Sequence, residues 1–298
     1  MRTASMLIKR NVKLFFRDRG MFFTALITPL ILLVLYGSFL GNIYRDSFLL
    51  NLPEGFVISE KILSGLVGGQ LVSSMLSVSC VTVAFCSNFL MVQDRANGTL
   101  SDLSVSPIGP YVLSFSYYAA SLISTLIISF TATALCLIYL SIVGWYLSFV
   151  DVILLILDII LLVLFGTALS SVINFYLNSM GQISAVGTII SSGYGFISGA
   201  YMPISSFAPA LRNIIAFLPG TYGTALVRTH SMRGALSAMQ NEGIPTEAIE
   251  AYREALDCNI YFFDLKVEPP VMYIILILSI ALLAGIYIML NVFKKASK

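Results

Sequence analysis

Six apolar runs, residues 21–41, 62–92, 111–143, 152–173, 182–200 and 271–292, decide what this chain can fold into. About 20 apolar residues in a helix cross roughly 30 Å of hydrocarbon, so each run predicts a transmembrane helix and together they predict an all-α membrane protein with six spans. Composition agrees: 58% of residues are hydrophobic and 11% charged, whereas soluble domains carry about 25% charged residues. Runs 62–92 and 111–143 are longer than a crossing needs, so their helices should tilt or project beyond the bilayer. Gly181, Gly187, Gly193, Gly195 and Gly199, in and beside run 182–200, predict a helix packed closely on its neighbours.

Charge sets the expected topology. Arg2, Lys9, Arg10, Lys13, Arg17 and Arg19 precede the first run, and Lys294, Lys295 and Lys298 follow the last. The positive-inside rule therefore puts both termini in the cytoplasm, with the polar segment 93–109 on the same side and segments 42–61 and 201–270 outside. The first run lacks a small-residue cleavage site and reads as a retained span. At about 100° per residue, Arg2, Lys9, Arg10, Lys13 and Arg17 share one arc while Leu7, Ile8, Val12, Leu14 and Phe15 share the opposite one. Residues 1–20 thus predict a basic amphipathic helix on the inner membrane surface, serving as a lipid anchor and as a docking surface for a cytosolic subunit.

Between runs two and three lies QDRANGTLSDLSVSPIG, residues 93–109. Gly98 breaks the helix, Thr99 or Ser101 caps a short new one, and Pro107 stops it. Leu100, Leu103 and Val105 on that helix are expected to form an exposed apolar knob for a partner protein. Pro29 should bend or loosen the first span. Asp151 and Asp158 fall on nearly one face of run 152–173; Asp151 suits the membrane boundary, whereas Asp158 is deep and must face the protein interior, be protonated or meet a partner. Segment 198–228 is broken by Pro203, Pro209, Pro219 and Gly220, which predicts two short helices that enter the outer leaflet and turn back. Residues 244–257 predict a helix with Ile249, Tyr252 and Leu256 on one face. Loop 42–61 carries no motif. Cys80, Cys86 and Cys136 lie in apolar runs and Cys258 in an exposed loop, so no disulfide framework is expected, and His230 is expected at the outer surface.

The amphipathic start ending in RDRG, the D-R-x-x-G-T-L-x-x-L-x-V-S-P pattern from Asp94 to Pro107, and the S-G-x-x-x-P, A-P, L-P-x-T-Y and final Arg between Ser198 and Arg228 together resemble the permease subunit of ABC-2 type exporters. The resemblance covers nearly the whole chain, read as one transmembrane domain, 1–298. It implies a bacterial cytoplasmic membrane, a homodimer or heterodimer of permeases, and cytosolic ATPase subunits that use ATP and Mg. On the same basis Asp94, Arg95, Gly98, Thr99, Leu100, Leu103, Val105 and Pro107 form a coupling helix. Lys9, Arg10, Lys13, Phe15 and Arg17 form the interface helix, and residues 201–270 hold re-entrant helices. The family carries Glu where this chain has Asp94, and its outer loop after Arg228 is shorter than 229–270 here.

Apart from any resemblance, no Gly precedes a Lys, so there is no phosphate loop and any ATP dependence must come from another polypeptide. The chain is expected to bind no cofactor, metal or nucleic acid itself and to have no catalytic site; its other partner is membrane lipid. Pro29, Asp158, Tyr194 and Tyr201 are the candidate transport-pathway residues. The cargo expected is an apolar or amphiphilic drug, antibiotic or lipid-like compound, with a lipid-linked polysaccharide as the alternative. A gradient-driven transporter working through Asp158 would need further intramembrane charges and an internal repeat. An intramembrane enzyme would need paired groups on different spans.

Overall fold

The computed structural model describes residues 2–35, 39, 41–50, 56, 58–105, 108–263 and 265–296. Among these, twelve α-helices and one two-stranded sheet follow in order: α1 (Arg2–Arg17), α2 (Arg19–Leu35), α3 (Gly41–Leu50), α4 (Glu60–Ala96), α5 (Thr99–Val105), α6 (Pro110–Val143), α7 (Phe149–Phe175), α8 (Met180–Ile197), α9 (Pro209–Ile215), α10 (Pro219–Asn241), α11 (Thr246–Ala255), β1 (Ile260–Phe262), β2 (Leu265–Val267) and α12 (Pro269–Ala296). Four of them, α4, α6, α7 and α12, are long and apolar enough to cross a membrane. Runs 21–41 and 182–200 fall on α2 and α8, of 17 and 18 residues, which are not among those four.

The axle of the molecule is α4. Its 37 residues extend about 55 Å at 1.5 Å per residue, beyond the thickness of the hydrocarbon layer. Ser59 caps its start, the side chain accepting from the Ile62 N–H, and Gly98, at φ +81°, supplies the left-handed turn that ends it. Helices α2, α6, α7, α8 and α10 all pack on α4, and every residue of its apolar window is buried. Such a helix has no lipid-facing side, and its many small polar residues act as links. Asn88 donates to the Ser170 and Ser171 hydroxyls of α7, and the Ser87 hydroxyl lies 2.8 Å from those of Ser121 and Thr125 on α6; hydrogen bonds of this kind join apolar helices where burial alone does not discriminate between partners. Close approach also needs a missing side chain. A Cβ at Gly69 would stand 2.8 Å from the Ser231 carbonyl oxygen, so α4 and α10 touch backbone to backbone there.

The segment after residue 198 departs from expectation. Pro219 does not break a helix but begins one, as the first residue of the 23-residue α10. At that position the missing N–H has no intrahelical partner to lose and φ is already set. Helix α10 runs against α4, α7 and α12 through residues expected to be loop, so the anticipated pair of turning-back helices is reduced to a 3-10 turn at Ile204–Ser206 and the seven-residue α9.

The end of the molecule away from α5 carries a small cap. Ile249 and Tyr252 of α11 are buried as the periodicity predicts, and they meet α3, a helix within the segment that carries no motif: the Tyr252 hydroxyl donates to the Phe48 carbonyl. Cys258 is buried in this cluster with Ile62, Leu66 and Met239 rather than exposed. The antiparallel pairing of β1 with β2 was not anticipated, because strands of three residues are too short to show alternation.

Candidate functional site

Three sets of polar side chains stand out against this apolar frame. The first is at the elbow, where the last turn of α4 carries Asp94 and Arg95 side by side. Asp94 is buried; Arg10 of α1 donates to its Oδ2 at 2.7 Å and the Tyr117 hydroxyl of α6 at 2.5 Å. Arg95 reaches the other way, donating to the carbonyls of Phe175, the last residue of α7, and Leu177 just beyond it. Two consecutive residues therefore bind the end of α4 to α1, α6 and the α7–α8 turn. Charge-assisted bonds are short and roughly twice as strong as neutral ones, so the end of α4 is fastened firmly to those three elements.

Helix α5 hangs from this joint. Only part of the expected knob is outside: Val105 is 88% exposed, whereas Leu100 and Leu103 are half-buried against the main core. In a seven-residue helix on a bundle, one apolar face must cover the bundle's end. What remains exposed is Ser101, Asp102 and Val105. Gly98 holds the turn and Thr99 starts the helix; Pro107 lies outside the described residues. On α1, Phe15 is buried and Lys9, Lys13 and Arg17 are exposed as the amphipathic pattern predicted, but Arg10 leaves the basic arc for Asp94.

The second set is at the far end. Asp257 follows α11 in the left-handed region, φ 54°, held by the Cys258 N–H to the Arg253 carbonyl and its own N–H to the Glu254 carbonyl, a Schellman arrangement. Gly199 ends α8 in the same way, with φ +73°. Between these two caps lies Arg228, 1% exposed. It donates to the Leu256 and Gly199 carbonyls at 2.9 and 2.8 Å and pairs with Asp257 at 3.6 Å. The Asp257 carboxylate also accepts from the Ile204 N–H. Scattered pieces of the sequence pattern, Gly199, the turn that follows Pro203 and Arg228, thus meet in one joint. Burial pushes the Asp257 carboxyl up to about 6, against the opposing pull of Arg228 and two backbone N–H groups.

The third set is central. Asp158 of α7 is fully buried; His230 Nδ1 of α10 lies 2.6 Å from its Oδ2, and the Tyr273 hydroxyl of α12 donates to its Oδ1 at 2.6 Å. His230 is therefore not a surface residue. Its partner was invisible in the sequence because the expected breaks at Pro219 and Gly220 hid the helix that carries it. Two turns toward the start of α7, Asp151 forms a capping box with Ser148 and pairs with Arg233 at 2.5 Å. Both acids of α7 are thus claimed by α10. Asparagine at 158 keeps an acceptor for Tyr273 and offers a donor to the imidazole, so Asp158→Asn is expected to lower stability by only about 1–2 kcal/mol, measured by thermal unfolding in micelles; a loss above about 4 kcal/mol would mean that charge, not hydrogen bonding, holds the pair.

The four candidate pathway residues do not converge. Tyr194 is buried with its hydroxyl against Gly220, the Tyr201 ring covers Gly195, Asp158 is enclosed as above, and Pro29 lines an apolar groove beside α4. Among the described residues no cluster of His, Cys, Asp or Glu could hold a metal ion.

The sequence matches the ABC-2 type transporter family over residues 3–230. The chain belongs to that family. Among curated proteins no match was found. The family match takes in the elbow, the central Asp158–His230 pair and Arg228, and ends before α11 and the hairpin. An ABC-2 protein is a membrane transport component with no catalytic site of its own. Asp257, the partner of Arg228, lies outside the matched region.

Proposed function

We propose that this chain is the permease subunit of an ATP-driven exporter that moves an apolar or amphiphilic compound outward across the bacterial cytoplasmic membrane, coupled through residues 93–109 to a separate ATPase. The observation that carries the reading is the elbow joint: a short helix with Ser101, Asp102 and Val105 exposed, following the end of α4 that Asp94 and Arg95 join to α1, α6 and the α7–α8 turn. A partner that pulls on α5 pulls on the whole bundle. ATP and Mg belong to that partner. The end bearing α5 and both termini is cytoplasmic, and α2 and α8 complete six spans.

A second permease copy fits the exposed face of α8. The outward residues of α12 are Val271, Ile274, Ile277, Leu278 and Leu282, suited to lipid. Those of α8 are mixed: Met180, Ile189, Phe196 and Ile197 are large and apolar, whereas Gly181, Gln182, Ser184, Thr188 and Ser192 are small or polar and Gly193 meets open space. The small and hydroxyl residues spaced three or four apart, Gly181, Ser184, Thr188 and Ser192, suit close helix–helix contact, and the apolar residues beside them suit a partner helix or lipid. All four native cysteines are buried, so Thr188→Cys is expected to give one new cross-link with a short bismaleimide, joining the chain to a second permease of similar mass on a denaturing gel; a chain that stays monomeric would remove α8 from the interface. A lipid-linked polysaccharide is the alternative cargo. The gradient-driven alternative gains no support from Asp158, which is engaged on both oxygens.

The test is ATP hydrolysis in vesicles by the chain extracted gently with its accompanying ATPase. Hydrolysis that follows this chain through purification is expected; its absence from every mild extraction would overturn the reading.

A further inference from the structure

Helices α2 and α6 both pack on α4 and leave between them an open-sided cavity of about 770 Å³. This lies in the roughly 300–1,000 Å³ range of small-ligand sites, and its walls are almost wholly apolar: Phe16 where α1 ends, Phe22 and Pro29 on α2, Met75 on α4, and α6 from Ile127 to Tyr139. Along α6 that stretch rises about 18 Å, close to the roughly 15 Å depth of one hydrocarbon leaflet. Length, open side and lining suit an extended acyl chain.

Basic residues gather at the end where α1 meets α2. Phe16 stands between Lys13, one turn earlier, and Arg17; Phe22 stands one turn after Arg19; all three cations are exposed. The nearby acid, Asp18, is turned to the start of α2, where its Oδ1 accepts from the Met21 N–H. We propose that the groove binds one anionic phospholipid from the leaflet at the level of α1, the acyl chain lying along Ile127 to Tyr139 and the phosphate held by Lys13, Arg17 and Arg19. The apolar groove selects for a chain and the basic mouth selects for the headgroup. Membrane-spanning proteins with basic pockets at the headgroup level recognise anionic lipids by this combination. The proposal stands whichever end of the molecule is cytoplasmic.

Native mass spectrometry of the detergent-purified chain, titrated with phosphatidylglycerol and with phosphatidylcholine of identical acyl chains, tests both halves. Each surface cation is worth about a factor of five, so Arg17→Gln/Arg19→Gln is expected to weaken phosphatidylglycerol by about thirtyfold and leave only the preference of about fivefold that Lys13 provides. Thr131→Trp, on the groove wall, should weaken both lipids together. Leu135→Trp fills the same wall from its exposed side and replaces Thr131→Trp should that chain not elute as a single species. Equal binding of the two lipids to the unaltered chain would overturn the headgroup site. Lipid adducts unchanged by both Trp variants would overturn the groove as the chain's place.

Discussion

Arg228→Met is expected to lower stability by about 3–5 kcal/mol, the largest loss from any single substitution considered for this chain. Methionine matches the stem of arginine, so packing changes little; what is lost is the pairing of Asp257 and of two carbonyls, Leu256 and Gly199, all deep in the protein. Breaking one side of a buried pair leaves the other charge uncompensated, which is why the cost is several times that of an exposed ion pair. Lysine should not rescue, because one ammonium cannot replace the guanidinium fork that reaches α8 and the end of α11 at once. The effect has a pH signature. With its folded value near 6 and an unfolded value near 4, Asp257 binds more protons in the folded state, so its contribution is fully present below about pH 4 and is lost as pH rises through 6. Removing Arg228 raises the folded value further and extends the loss to higher pH. The difference between variant and unaltered chain is therefore expected to be smaller at pH 5 than at pH 7.5, by thermal unfolding in micelles at both. A difference independent of pH would mean that the two carbonyls, not Asp257, are what Arg228 serves.

What the sequence made legible follows from the strength of each local signal. Long apolar runs specify helices because the bilayer allows little else, and α4, α6, α7 and α12 appear where the runs lie. The arc of Leu7 and Phe15 placed the buried face of α1 correctly, since a helix of 16 residues repeats the pattern often enough to be read. The break at Gly98 and the short helix after it were likewise local. Signals failed where one residue type carries two meanings. Pro219 ends a helix or begins one; Ala225, Met232, Leu236 and Met239 at helical spacing beyond it were the evidence for a beginning. Once α10 was missed, His230 lost its place beside Asp158, and Arg228 lost Asp257. Leu100 and Leu103 are apolar whether they face a partner or cover the bundle, and here they pack half-buried against the main core. Those distinctions depend on contacts between residues far apart in the chain, which periodicity does not encode.

Val105→Asp is expected to abolish copurification of an ATPase while leaving the chain inserted and monodisperse. Val105 is the preferred site because it is 88% exposed on the elbow helix. Leu103→Asp would test less cleanly, since Leu103 is half-buried against the main core and its loss would also loosen that packing. An apolar side chain at the centre of a docking patch carries about 2–4 kcal/mol, and a carboxylate forced into the same groove adds its desolvation, so binding should weaken by about a hundredfold to a thousandfold. Asp94→Asn separates docking from transmission. It leaves Ser101, Asp102 and Val105 untouched but weakens the charge-assisted bonds to Arg10 and Tyr117, worth about 1.5–3 kcal/mol each. The ATPase should still copurify with Asp94→Asn, while hydrolysis coupled to transport falls by about tenfold or more. The two variants together give a pattern that neither gives alone: partner lost in the first, partner kept but disconnected in the second. Retention of the ATPase by Val105→Asp would put the docking surface elsewhere on the chain. Full coupling in Asp94→Asn would mean that the elbow transmits through the packing of Leu100 and Leu103 rather than through the buried carboxylate.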